Sequence, residues 1–113
     1  MVDTLVERNP IRFDEEDMDA ILVALRDLDR DPEPTDQETL VKAAWWVLVL
    51  HWLSDDATHF AFDSFLTVLG HKVWRHFRER EKDPPRRIDV LDAKGNTLAS
   101  QEVDEPEGEP DQS

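Results

Sequence analysis

The residues of this chain best suited to chemistry are His51, Asp55, His59 and Asp63, which follow one another at four-residue intervals. On one unbroken helix that spacing would line up imidazole nitrogens and carboxylate oxygens along a single side, the donor types that suit a divalent transition metal. Ser54-Asp55-Asp56 argues against a helix running through the row, because serine and aspartate favour helix starts over helix interiors. No second segment offers a Glu-x-x-His partner. We therefore expect no metal and no cofactor, and read His51, set in an apolar block, as a hydrogen-bonded core or interface histidine.

Other catalytic chemistries are as poorly served. Ser54 lies near His51 and Asp55, but nothing marks the strained turn and oxyanion hole that a serine nucleophile needs. Gly70, Gly95 and Gly108 form no phosphate-cradling loop. The chain contains no cysteine, which excludes disulfides, thiolate zinc sites and cysteine nucleophiles. The expectation is a protein that is not an enzyme; a small metal-dependent enzyme would require His51, Asp55 and His59 to converge.

Charge is the stronger signal. The 113 residues include 27 acidic and 13 basic side chains, for a net charge of −14. Residues 1 to 71 hold 16 acids against 5 bases, residues 72 to 87 hold 3 against 7, and residues 88 to 113 hold 8 against 1. In the basic stretch, His71, Arg75, Arg78 and Lys82 would share one face of a helix, with Trp74 at its edge. Such a stripe could touch nucleic acid, yet a field this negative disfavours that contact and favours basic protein partners. The stripe reads as a solvated, ion-paired face or a dock for an acidic protein patch.

These side chains must be carried by a small fold. Residues 14 to 30 predict a helix, since Met18, Ile21, Leu22, Leu25 and Leu28 recur at three- and four-residue steps. Asp14 is placed to cap it, Glu15, Glu16 and Asp17 complement its dipole, and Phe13 can staple onto Met18. Pro32-Glu33-Pro34 reads as a stiff connector, and Thr35-Asp36-Gln37-Glu38 as the capped start of a second helix ending near Leu53. That helix would contain the charge-free run Ala43 to Leu50 and Trp45, Trp46 and Trp52, so it is expected at the centre of the fold. Phe62, Phe65, Leu66, Leu69, Val73 and Phe77 trace a third helix that stops near Lys82, ahead of Asp83-Pro84-Pro85.

Beyond the prolines the period changes, and Ile88, Val90, Leu98 and Val103 flank the turn Asp92 to Asn96 as a β-hairpin. The expected fold class is thus mainly α with some β: a three-helix domain with a buried central helix, a C-terminal hairpin and a disordered acidic tail. Its parts would be an N-terminal arm or short strand over residues 1 to 13, the domain over 14 to 103, and the tail over 104 to 113. The apolar run around Trp45 spans about 14 residues against the roughly 20 a membrane helix needs, so no membrane span is expected. The amino terminus lacks the pattern of a secretion signal, which predicts a cytoplasmic protein.

Taken together, these features predict a noncatalytic acidic protein-binding module, an inhibitor or adaptor that engages a basic surface through Glu16, Asp19, Asp27 and Asp31. Ala20, Val23 and Ala24 on the same helix would add a small apolar patch between the acids. A phage-type inhibitor mimicking nucleic acid is one form of this reading, by analogy of charge and size alone. The alternative is a self-assembling structural or phage-assembly protein. Homo-oligomerisation through Trp45, Trp46 or Trp52 is a further expectation, because the tryptophan-rich segment has more apolar surface than two neighbours could cover.

Overall fold

The structure is a computed structural model, and it describes residues 2–8, 13–35, 46–53 and 61–104. In chain order its elements are β1 (Thr4–Glu7), α1 (Glu15–Asp27), β2 (Pro32–Thr35), β3 (Val47–Trp52), α2 (Phe62–Glu79), β4 (Arg87–Asp92) and β5 (Thr97–Glu102). The five strands form one mixed sheet in the order β2-β1-β3-β4-β5. β1 pairs with β2 in parallel, and β3 with β4 in parallel, each pair bridged by a helix. The two β-α-β units meet where β1 runs antiparallel to β3, and β5 returns antiparallel to β4.

This is an α+β fold, which corrects the three-helix expectation: the described residues contain two helices. The expected central helix is the point of failure. Its second half, Val47 to Trp52, is the middle strand of the sheet, with Val47, Leu48, Val49 and Leu50 all buried. A strand covered on both faces reads as a continuous apolar run, and over so short a span its composition resembles that of a buried helix. The alternating valines favour the strand, since β-branched side chains pack well on a pleated surface. Pro32-Glu33-Pro34 is likewise part of an edge strand, where proline is tolerated, and no connector between helices. The rest of the expected second helix, residues 36–45, lies outside the described residues, as does Trp45.

The other elements fold as their sequences indicate. α1 starts at Asp14, whose carboxylate accepts from the Asp17 N–H at 2.9 Å while the Asp17 carboxylate accepts from the Asp14 N–H at 3.3 Å. That reciprocal pair satisfies two backbone donors that a helix start would leave bare. The N-terminal segment is a strand, β1, and not a loose arm. The hairpin of β4 and β5 turns through Ala93 to Asn96, with the Asp92 carboxylate accepting from the backbone N–H groups of Lys94 and Asn96, both at 2.8 Å. Gly95 takes φ +91°, a left-handed conformation that costs a side-chain-bearing residue. Gly95→Ala is accordingly expected to destabilise the protein by about 1 kcal/mol, read as a lower urea midpoint at unchanged slope. Of the expected tail, residues 105–113 lie outside the described residues.

Both helices pack on one face of the sheet. Met18, Ile21, Leu22 and Leu25 of α1 and Phe65, Leu66, Leu69, Val73 and Phe77 of α2 meet Val6, Leu48, Leu50, Trp52, Ile88 and Val90 from the strands. Phe13 closes one end by packing edge-on to Phe77, ring centroids 5.8 Å apart. On the opposite face of the sheet Val47, Val49 and Leu91 form a second small cluster with half-buried Trp46. His51 shares that face, and its Nε2 lies 2.5 Å from the Glu7 carboxylate. The expectation of a hydrogen-bonded histidine thus holds on a strand in place of a helix.

Candidate partner-binding groove

The candidate site is built on the contact between α1 and α2, which run antiparallel so that the start of α1 meets the end of α2. Beyond their shared core, Asp17 ties these two ends together. Its side chain has no solvent exposure, and its oxygens accept from His76 Nε2 at 2.8 Å, Arg80 Nη1 at 2.7 Å, Lys82 Nζ, and the Asp14 N–H. Facing an ionised carboxylate, His76 Nε2 carries its proton and donates. Burial alone would raise the Asp17 pKa, but the hydrogen bonds from Lys82, His76 and Arg80 outweigh it and hold the carboxyl below its ordinary value. Asp14 is also held well below the carboxylate range, first by the Arg80 hydrogen bond and then by the Asp17 N–H. Arg80 reaches Glu16 as well, at 3.0 Å.

Above this clamp the two helices leave a shallow groove of about 540 Å³ lined by Glu16, Asp19, Ala20, Val23, Ala24, Asp27, Lys72 and His76. Its floor is made of small apolar side chains because Ala20 and Ala24, four residues apart, present one face of α1 to α2. Val23 stands 51% exposed at its edge, more than either of the other large hydrophobics exposed among the described residues. Glu16 and Asp27 are mostly in solvent, at 78% and 61% side-chain exposure. Lys72 approaches Asp27 across the groove at 3.9 Å, an exposed pair too long and too wet to fix either side chain. The α1 lip is therefore acidic and largely in solvent, with Glu16 paired to Arg80, and the α2 lip carries Lys72 and His76.

The charge of the molecule is divided in the same sense. Among the described residues, those from 2 to 53, which include α1, hold 11 acids against 3 bases, whereas those from 61 to 104 hold 8 of each. The field that a basic partner would feel is thus centred on the α1 side of the fold.

Of the acids expected from sequence, the structure brings Glu16, Asp19 and Asp27 to the groove. Asp31 is elsewhere: it precedes β2, and its N–H donates to the Asp3 carboxylate at 2.9 Å while its carbonyl accepts from the Asp3 N–H. Among the tryptophans, Trp52 lies in the core at 1% exposure, under the Arg30 guanidinium 3.6 Å from its ring centroid and edge-on to Phe62 and Phe65. It is no oligomer contact. Trp46 sits half-buried on the far face of the sheet.

The expected basic stripe is divided. Lys82 follows the end of α2 and turns back to Asp17, so it does not join the others. His71 is half-buried in a cleft with Gln101, Glu102 and Asp104, Arg75 is exposed, and Arg78 lies 5.5 Å from the Trp74 ring. The row His51, Asp55, His59, Asp63 does not form either: His51 is on β3, Asp63 in the first turn of α2, and Asp55 and His59 lie outside the described residues. Among the described residues no three His, Asp or Glu side chains converge as a metal site would, and no helix is long and apolar enough to cross a membrane.

Sequence reasoning missed Lys72 and His76 as the second lip, and Asp17 as the pin of the helix pair. The spacing of His76 and Arg80 carried a usable signal, since residues four apart share a helix face and both could serve one carboxylate. Comparison with protein-family models, with curated proteins and with solved structures finds no match.

Proposed function

We propose that this protein is a noncatalytic protein-binding module whose α1–α2 groove receives a basic partner. The observation that carries the reading is the half-exposed Val23 over an alanine floor, set beside Glu16 and Asp19 on the more acidic half of the chain. An apolar floor gives a contact its hydrophobic area, and a charged rim gives it selectivity and speed of encounter. The partner suited to it projects one aliphatic side chain into the groove and lysine or arginine side chains onto the α1 lip.

Asp17 itself belongs to the frame of the groove and is not a reacting group. A carboxylate offers about four lone-pair sites, and those of Asp17 face four donors. It has no site left with which to take a substrate proton. Inhibitor and adaptor are both consistent with such a groove, and the identity of the captured partner separates them.

The test compares the native chain with a groove variant (Glu16→Lys, Asp19→Lys, Asp27→Lys) and with a variant of equal charge away from it (Glu33→Lys, Asp63→Lys, Glu81→Lys). Each tagged form is used to capture proteins from lysate of the source cells. A basic protein retained by the native and control forms, and held about 10- to 100-fold more weakly by the groove variant, is the expected result. Equal loss in both variants would mean bulk charge attraction and would overturn the assignment.

A further inference from the structure

The sheet has two edges, and they are built differently. At the β2 edge, Pro32 and Pro34 alternate with Glu33, so the donors that serve β1 must come from Glu33 and Thr35 and the outward positions have no N–H. That edge is blunted against further pairing. β5 forms the other edge with six residues, Thr97-Leu98-Ala99-Ser100-Gln101-Glu102, none of them proline or lysine, and a bulge at Leu98 leaves Ala99 to Glu102 as its regular part. Among the described residues nothing pairs with its outer side.

The direction of the free groups follows from the hairpin. The Val103 N–H donates to the Arg86 carbonyl at 2.9 Å, so this opposed pair is hydrogen-bonded. In an antiparallel ladder such pairs alternate with unbonded ones. Gln101 opposite Ile88 and Ala99 opposite Val90 are therefore turned toward β4, and the backbone groups of Ser100 and Glu102 point outward.

From this geometry we infer that the protein forms a homodimer by antiparallel pairing of β5 with β5 of a second copy, continuing the sheet across a two-fold axis at Ser100. With Ser100 on the axis, Ser100 exchanges two backbone bonds with its counterpart and Ala99 faces Gln101, and the bulge at Leu98 ends the regular ladder on either side. No like charges stand opposite each other. The same register carries Glu102 and Asp104 of each copy toward the Lys94 end of the other hairpin.

A two-fold axis perpendicular to the sheet leaves both helical layers on the same side. The dimer would then present two α1–α2 grooves together, as a bivalent surface. The pairing itself stands on the edge geometry and does not depend on what the grooves bind.

Sedimentation of the full chain across the micromolar range tests the proposal, with Ser100→Pro and Ser100→Ala alongside. Proline removes the outward N–H and the hydroxyl bond to Asp89 but no backbone bond to β4, while alanine keeps the N–H and loses only that hydroxyl bond. The native chain and Ser100→Ala are expected at twice the 13.2 kDa chain mass, and Ser100→Pro at the single mass with unchanged circular dichroism. If Ser100→Pro does not fold, Glu102→Pro, which removes the next outward donor, takes its place. A native chain that stays at the single mass throughout, or folded proline variants that still double it, would overturn the inference.

Discussion

Trp52→Ala is expected to remove about 4 kcal/mol of stability, lowering the melting temperature by roughly 15 °C, whereas Trp46→Ala removes about 1 kcal/mol. The difference comes from where β3 puts the two rings. Trp52 is 1% exposed, with Phe62 and Phe65 centred 5.0 and 5.4 Å away and the Arg30 guanidinium over its face. Deleting the indole opens a cavity among three rigid neighbours and strips a buried cation of its aromatic partner. Arg30 is itself tied to Thr4 at 3.3 Å and Asp3 at 3.4 Å, so the damage reaches β1. Trp46 is half-buried beside the small far-face cluster of Val47, Val49 and Leu91. Thermal unfolding of the two variants decides the matter, and equal losses would refute this account of the core.

Asp17→Asn is expected to cost about 2 to 3 kcal/mol near pH 7, and to cost progressively less in acid. The amide keeps the size of the side chain but turns two N–H donors toward groups that also donate. His76, Arg80 and Lys82 retain about a quarter to a third of their exposure, which lets water relieve part of the loss. The sign of the pH effect follows from the direction of the Asp17 shift. Its pKa in the folded protein is lowered, so the carboxylate adds stability that is fully present above the unfolded value of about 3.9 and is lost as pH falls through the folded value. Urea unfolding of both forms from pH 7 downward should therefore show curves a constant distance apart until about pH 4 and converging below it. A gap that stays constant to pH 2, or that closes already between pH 7 and 5, would show that Asp17 is not the ionised pin of the helix pair.

These residues also show how far the amino-acid sequence carries. The capped start of α1, the α2 stripe and the hairpin turn depend on neighbours within a few positions, and all three were legible. Glu16, Asp19 and Asp27 were placed in one acidic group because they share a helix, and the structure brings them to one groove. Asp31 was grouped with them by charge alone, and the chain turns it away to meet Asp3. The misreading of Val47 to Trp52 has a different origin: whether a short apolar run becomes helix or strand depends on β1 and β4, the strands that pair with it from opposite ends of the chain.

Composition and local pattern by themselves determined the charge, the absence of thiol chemistry, two helices, one hairpin and which acids share α1, since each rests on residue type or on contacts a few positions apart. Tertiary structure alone decided that Val47 to Trp52 is the middle strand of the sheet, that Trp52 is core and Lys82 a partner of Asp17, and that one sheet edge is blunted while the other is unpaired among the described residues. Those outcomes depend on which distant segments a strand pairs with and which donors surround a buried carboxylate, and no spacing along the chain encodes either.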